Sequence, residues 1–326
     1  MSAPLLSVRA LGVGFDVGGG WPFGRRRRLM AVDDASFDLA PGETLAVVGE
    51  SGCGKSTLAR AVLRLVPAQT GRVLWLGQDL LRLPAEAVRA HRRAMQVVFQ
   101  DPLAALDPRM TVGDSVAEPL DAFEPGLSRE ERRRRVAEAF DLVGLAPAMA
   151  GRYPHEFSGG QCQRLGIARA MILKPRLIVC DEPVSALDAS VQAQIVNLLM
   201  RLQREFGLAL IFISHNLAVV RHISHRVLVL YLGRTVEMAP TDALFREPRH
   251  PYTQALIAAV PIPDPVAERA RPRLVLAGDV PSPLDPPSGC AFRTRCPKAQ
   301  PWCAANRPAL EPAGEGHLVA CPYWRT

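Results

Sequence analysis

At 326 residues the chain exceeds what one compact core usually covers, so one large domain with a smaller appendage is expected. Its formal charge of +7 suits an anionic partner such as a nucleotide, a nucleic acid or a membrane surface, and nothing in the composition points to disorder. Met1-Ser2-Ala3-Pro4 lacks a charged leader with an apolar run behind it, and no stretch of about eighteen uninterrupted apolar residues occurs, so neither secretion nor a membrane span of its own is expected.

Leu6 to Phe15 and Ala35 to Leu39 alternate apolar and polar positions, as half-buried strands do. Between them lie Gly18-Gly19-Gly20 and Arg25-Arg26-Arg27-Arg28, read as a solvated hairpin tip, with contact to anionic head groups or a partner as the alternative. Leu45-Ala46-Val47-Val48 suits a buried strand, and Leu58, Ala59, Val62, Leu63 and Val66 recur at helical spacing. Joining them, Gly49, Glu50, Ser51, Gly52, Cys53, Gly54, Lys55, Ser56 and Thr57 fill the P-loop pattern at every position. Glycines let the backbone approach a polyphosphate, and the helix N-terminus behind adds roughly half a positive charge. Lys55 is then expected at the β- and γ-phosphates of ATP, and the Ser56 hydroxyl on Mg²⁺. The chain's only other lysines are Lys174 and Lys298, so Lys55 stands out among the arginines.

Met95 to Gln100 reads as another strand, and from there to about residue 157 the composition turns helical. Within this segment Ser128 to Val143 presents Val136, Phe140 and Val143 on one face, with Arg132 to Arg135 as a solvated face. Phe157-Ser158-Gly159-Gly160-Gln161 opens a helical stretch through Ile172 that Pro175 stops. Leu177 to Cys180 is a hydrophobic strand ending in Asp181-Glu182, at the edge where α/β sheets bind ligands. Ala189 to Phe206 repeats apolar residues at helical spacing, and Gly207 can close the helix in the left-handed conformation. A buried strand from Leu208 to Ile213 delivers Ser214-His215 to its end. Arg226 to Tyr231 and Arg234 to Met238, joined across Gly233, suggest a hairpin that ends the core near Pro240. Beyond it proline is dense, which predicts a linker or small irregular domain and not a continuing sheet.

Taken in order, the P-loop, Gln100, Ser158-Gly159-Gly160-Gln161, Asp181-Glu182, Ser185-Ala186-Leu187-Asp188 and His215 resemble an ATP-binding-cassette (ABC) ATPase, over about Leu6 to Pro240. The resemblance implies an α/β fold, a P-loop (RecA-like) core with an antiparallel β subdomain and a helical insertion at about 101–157, forming a nucleotide-binding domain of residues 1–240. It implies that Asp181 holds Mg²⁺ through water, that Glu182 is the general base, and that Gln100 ligates Mg²⁺ and links the site to a membrane partner. His215 would contact the γ-phosphate, and Phe15 would stack on adenine, with Trp21 and Phe23 as competitors. Ser158, Gly160 and Gln161 would complete the ATP site of an opposing subunit, with Asp188 at that seam. Cys53, Cys162 and Cys180 are read as small buried residues and not nucleophiles.

His250-Pro251-Tyr252-Thr253, Ala255-Leu256 and Pro261 are similar to the C-terminal extension of oligopeptide/dipeptide transporter ATP-binding subunits, a group that includes nickel importers. Tyr153-Pro154-His155-Glu156 fits the same group, whereas Phe157 and Cys162 depart from its usual leucine and arginine without touching phosphate-facing atoms. Within residues 241–326 stand Cys290, Cys296, Cys303 and Cys321, with five, six and seventeen residues between them. Four thiolates converging from a proline-rich segment are what a [4Fe–4S] cluster requires, and some members of the group carry one. Zinc is the alternative, although its cysteines usually pair closer, and disulfides or free thiols come third. A segment with so few large apolar residues is expected to draw much of its folding energy from the metal.

The resemblance implies a cytoplasmic ATPase subunit of a bacterial peptide importer, peripheral at the inner face of the cell membrane. Its partners would be a homologous, non-identical second ATPase subunit, two transmembrane permease subunits and, indirectly, an extracytoplasmic solute-binding protein, with no nucleic acid. Nickel-chelate import and a soluble ABC ATPase acting on nucleic acid or ribosomes are the alternatives.

Overall fold

The computed structural model describes residues 3–18, 27–261, 264, 269, 276 and 278–325; Gly19, Gly20, Trp21, Phe23, Arg25 and Arg26 lie outside them. In chain order the strands are β1 (Leu6–Val17), β2 (Arg27–Leu39), β3 (Thr44–Val48), β4 (Thr70–Trp75), β5 (Gln78–Asp79), β6 (Met95–Val98), β7 (Leu177–Asp181), β8 (Ala209–Ile213), β9 (Arg226–Tyr231), β10 (Arg234–Pro240), β11 (Glu311–Gly314) and β12 (His317–Val319). The helices are α1 (Lys55–Val62), α2 (Ala85–Arg92), α3 (Val112–Phe123), α4 (Arg129–Leu142), α5 (Gly159–Met171), α6 (Ala189–Phe206), α7 (Leu217–Ile223), α8 (Thr241–Arg246), α9 (Pro251–Ala258) and α10 (Pro301–Ala305). The chain divides into two compact units, one of Leu39–Thr44 and Arg82–Ser214, the other of Pro4–Asp38, Leu45–Leu81 and the residues from His215 on.

In the first unit β7 runs parallel between β6 and β8, pairing Val179 with Val97 on one side and with Ile211 on the other. Every residue of β7 and β8 is buried, as in parallel strands covered on both faces. Each aliphatic side chain buried there contributes roughly 1.5–3 kcal/mol. Asp188 starts α6 by accepting the Ser190 and Val191 N–H groups, both at 3.0 Å, and Gly207 ends it at φ 61°.

Helices α3, α4 and α5 pack together in the segment expected to be a helical insertion. Arg132 to Arg135 are not simply a solvated face. Arg132 pairs with Asp114 (3.1 Å) and Asp121 (3.0 Å), while Arg135 pairs with Glu124 (2.8 Å) and donates to the Ile172 carbonyl (2.6 Å). These bonds tie α4 to α3 and to the end of α5, because an arginine near a neighbouring helix terminus can serve carboxylates and orphan carbonyls together.

The second unit holds an antiparallel sheet ordered β2-β1-β4-β5, and a mixed sheet in which β3 lies parallel to β9, with Val48 opposite Val229. β9 and β10 form the expected hairpin. Helix α1 stops at Val62, about one turn short of the spacing through Val66. There Arg64 takes φ 52° while its N–H bonds Ala61 (2.9 Å) and the Leu65 N–H bonds Arg60 (2.8 Å), a Schellman closure made without glycine.

The tail corrects two expectations. It does continue a sheet: β12 pairs with β10, placing Val319 opposite Glu237 and Leu318 opposite Met238, and β11 pairs with β12 in turn. It also builds a core. Tyr252 and Phe292 are 0% and 1% exposed and pack on Tyr231 of β9, with ring centroids 4.7 and 5.2 Å from it. Aromatic edge-to-face pairs add about 0.5–1.5 kcal/mol beyond their burial, so a few large rings replace the many aliphatics this segment lacks.

A buried carboxylate fastens the junction. Glu237, fully buried on β10, accepts the Arg249 and His250 N–H groups (2.8 and 2.9 Å) and lies 2.6 Å from His317 Nε2. Burial pushes His250 down to about 4, so the ring is neutral, and its Nδ1 accepts the Tyr252 N–H at 3.1 Å to start α9.

Candidate active site

β3 delivers the chain to Gly49, where φ is 151° and a Cβ would collide with the Leu230 carbonyl oxygen. Gly54 (φ 104°) has no more room, since its Cβ would strike the Ala31 carbonyl. Both positions therefore demand glycine, and between them the loop arches so that α1 opens at Lys55 with no side chain capping its N–H groups. A helix N-terminus without a side-chain cap, together with the helix dipole, suits an anion. Lys55 is 5% exposed, and its Nζ donates to the Gly49 and Glu50 carbonyls, each at 2.9 Å, with the Cys53 sulfur 3.8 Å away. Burial raises the Cys53 thiol while the Lys55 charge opposes it, consistent with a neutral packing residue. Ser56 and Thr57 follow, half-buried, in the first helical turn.

In the same unit His215 is exposed and, with Val48 and Gly49, lines a cleft of about 450 Å³ closed by Leu256, Val260 and Pro261 of the extension. Phe15, on β1, is 38% exposed, a large ring left in solvent.

The first unit carries the carboxylates. Asp181 ends β7 and is 4% exposed. Glu182 follows in the left-handed region at φ 47°, which costs a non-glycine residue about 1–2 kcal/mol. Hydrogen bonds hold it there: its N–H donates to Ile213 (3.1 Å), and Ser185 returns N–H and hydroxyl bonds to its carbonyl (3.3 and 3.1 Å). Gln100, just past the end of β6, donates from Nε2 to Glu182 Oε2 at 3.3 Å. The strand-end amide and the strand-end carboxylate thus meet.

Ser158 and Gln161 form a reciprocal capping box at the start of α5, with Ser158 Oγ accepting the Gln161 N–H (3.3 Å) and Gln161 Oε1 accepting the Ser158 N–H (3.0 Å). Ser158 is exposed, and at Gly160 a Cβ would clash with Val191. Asp188 spends its carboxylate on capping α6, and the Ser190 hydroxyl first, then the Val191 N–H, lower its pKa.

The tail cysteines are free thiols, and among the described residues no group of three or more His, Cys, Asp or Glu side chains is set to hold a metal ion. They are neighbours even so. Cys290 N–H bonds the Cys303 carbonyl at 2.8 Å, and Cys321, raised to about 11 mainly by burial, is raised further by the charges of Cys296, Cys290 and Cys303. Four soft thiols are the right donor set for an iron–sulfur centre, although as placed they are not drawn round one.

Two contributors to the loop were missed in the sequence. Tyr252 Oη accepts the Glu50 N–H at 2.8 Å, and Arg295 grips the Glu50 carboxylate with bonds of 2.8 and 3.1 Å. Only the position of Arg295 between two cysteines hinted that it would be placed by something.

An ammonium lodged in a glycine-only phosphate loop and, elsewhere in the chain, a strand-end glutamate met by a glutamine amide are each equipment of an ATP-binding-cassette ATPase. A model of the ABC transporter family matches residues 32–185, and one of the oligopeptide/dipeptide transporter C-terminal region matches residues 236–303. The oligopeptide transport ATP-binding protein OppF of Salmonella typhimurium is 58% identical over 97% of this chain and 95% of its own, and that of Escherichia coli is 57% identical over the same shares. Among solved structures, a dimeric ATP-binding cassette in a post-hydrolysis state with ADP and Pi is similar at a TM-score of 0.65 and 27% identity, covering 72% of this chain and 98% of that one. This chain belongs to the ATP-binding subunits of ABC transporters, in their oligopeptide/dipeptide branch, and hydrolyses ATP.

Proposed function

We infer that this chain is the ATP-hydrolysing subunit of a peptide importer. The observation that carries the reading is that the phosphate loop and the oligopeptide-transporter extension are bonded to each other, Tyr252 to Glu50 at 2.8 Å. The division of labour runs as a cassette through residue 240, with its helical insertion at about 101–157, followed by the extension, residues 241–326.

The loop N–H groups and Lys55 bind the ATP phosphates, Phe15 stacks on adenine, and His215 reaches the γ-phosphate. Glu182 takes a proton from the attacking water as the γ-phosphoryl group leaves ADP. Ser56, Gln100 and Asp181 would hold Mg²⁺, which would neutralise charge on the phosphate oxygens. Ser158, Gly160 and Gln161 complete the pocket of an opposing cassette, with Asp188 beside that seam; the exposure of Ser158 and the dimeric state of the similar solved cassette support this. Two half-sites that meet around ATP separate after hydrolysis and so convert turnover into motion.

A groove of about 350 Å³ beside Gln100 suits a permease segment. Phe99, Pro102 and Gln163 are among the residues that line it, and Phe99 is 40% exposed. Among the described residues no helix is long and apolar enough to cross a membrane. The likeness to oligopeptide transport ATP-binding proteins supports a peripheral placement at the cytoplasmic face. The partners are two transmembrane permeases, a homologous but non-identical second cassette, and indirectly an extracytoplasmic solute-binding protein. Nucleic acid is not among the proposed partners, a reading supported by the near full-length likeness to oligopeptide transport ATP-binding proteins.

The test is purification from membranes together with assay of peptide uptake. Permease subunits are expected to co-purify, and ATP-dependent peptide uptake is expected to cease on loss of this subunit. Recovery with ribosomes in their place would overturn the reading.

For the tail we propose a structural [4Fe–4S] cluster on Cys290, Cys296, Cys303 and Cys321, supported by their number and spacing. Anaerobically purified protein is expected to show visible charge-transfer absorbance that Cys303→Ser removes. A colourless protein carrying zinc would replace iron by zinc, and one carrying neither would reject the site.

A further inference from the structure

We propose that Arg295 and Tyr252, both in the C-terminal extension, are positioning residues for ATP binding, acting through Glu50 of the phosphate loop. The inference rests on the reading that Lys55 contacts the ATP phosphates.

Every polar group of Glu50 is committed. Its N–H goes to Tyr252 Oη (2.8 Å), its carboxylate to the Arg295 guanidinium (2.8 and 3.1 Å), and its carbonyl accepts from Lys55 Nζ (2.9 Å) and, at longer range, from the Cys53 N–H (3.3 Å). Two of these four anchors come from the extension, one from within the loop, and the last is the phosphate-binding ammonium itself. The extension therefore reaches Lys55 through one residue.

Each anchor is stiff. Tyr252 is fully buried, its ring clamped between Tyr231 (4.7 Å) and Phe292 (5.4 Å), so its hydroxyl has little freedom to retreat. The Arg295 side chain is 8% exposed, and its backbone N–H is pinned to the Phe292 carbonyl at 3.0 Å. A bidentate arginine–carboxylate pair fixes direction as well as distance. The tip of the adjoining arch, by contrast, faces solvent: Ser51 and Gly52 are exposed, and a Cβ on Gly52 would meet nothing within 4 Å. Neither Arg295 nor Tyr252 needs to touch nucleotide. Their part is to hold the Glu50 carbonyl, and with it Lys55, in place before ATP arrives, which lowers the ordering cost of binding.

The test is equilibrium ATP binding by the full-length chain and steady-state ATPase kinetics of the transporter complex. Arg295→Met keeps the aliphatic stem and removes the ion pair, whereas Tyr252→Phe removes one oxygen and keeps the ring packing. Each is expected to raise the Kd and KM for ATP roughly three- to tenfold while kcat stays within about twofold, since a net hydrogen bond is lost before chemistry begins. Arg295→Lys should recover part of the loss. Combining Arg295→Met with Glu50→Gln should be no worse than either alone, because both remove the same link. Parental KM in both Arg295→Met and Tyr252→Phe would overturn the proposal, as would a fall in kcat at unchanged KM. Lys55→Ala separates the two levels. If it binds ATP as the parent does, the underlying reading of Lys55 fails; if it loses ATP while the two extension variants do not, only the positioning role fails.

Discussion

Replacing Glu182 by glutamine is expected to slow ATP turnover by roughly 10²–10⁴-fold while leaving ATP binding intact, the loss typical of a removed general base. Glutamine preserves the shape of the side chain and can still meet Gln100, whose Nε2 lies 3.3 Å from the carboxylate. What it cannot do is take the proton of the attacking water. The variant should therefore accumulate with ATP bound, as a closed pair of cassettes detectable by size and by retained nucleotide. Because φ 47° is already imposed on this residue by its bonds to Ile213 and Ser185, the substitution adds no new backbone strain, and melting should be unchanged. Hydrolysis at the parental rate would show that another group activates the water.

The second large effect belongs to Lys55. Lys55→Ala is expected to weaken ATP binding by roughly 10- to 100-fold, the range for losing a charge-assisted hydrogen bond to phosphate, and turnover should fall with it. Two causes combine. The ammonium leaves the phosphates without their buried countercharge, and the Gly49 and Glu50 carbonyls that it bridges at 2.9 Å lose their shared donor. Equilibrium binding measured alongside a melting curve distinguishes a lost phosphate contact from a collapsed loop. Unchanged affinity would rule out Lys55 as a phosphate ligand.

Much of the site was legible because its parts are local. Asp188, expected only at a subunit seam, also proves to be the N-cap of α6, whereas Gly207 closes that helix in the left-handed conformation, as its residue type predicted. The same holds for the loop glycines, whose positive φ angles at Gly49 and Gly54 follow from a pattern only a few residues long. Less legible was the end of α1, where Arg64 adopts the conformation that glycine normally signals. β11 and β12 were missed because four and three residues are too few to display an alternation. Arg132 and Arg135 were misjudged for a different reason: a charge run looks solvated until the carboxylates of another helix are placed beside it.

By itself the sequence determined the chemistry that the phosphate loop and the strand-end carboxylates can perform, since spacing along a strand, a turn or a helix dictates which groups point together. Tertiary structure alone decided that the tail becomes part of a sheet and of an aromatic core, and that Arg295 closes on Glu50 from 245 residues away. A side chain's partner at that distance depends on how the intervening chain folds back, and no pattern of neighbouring residues encodes it.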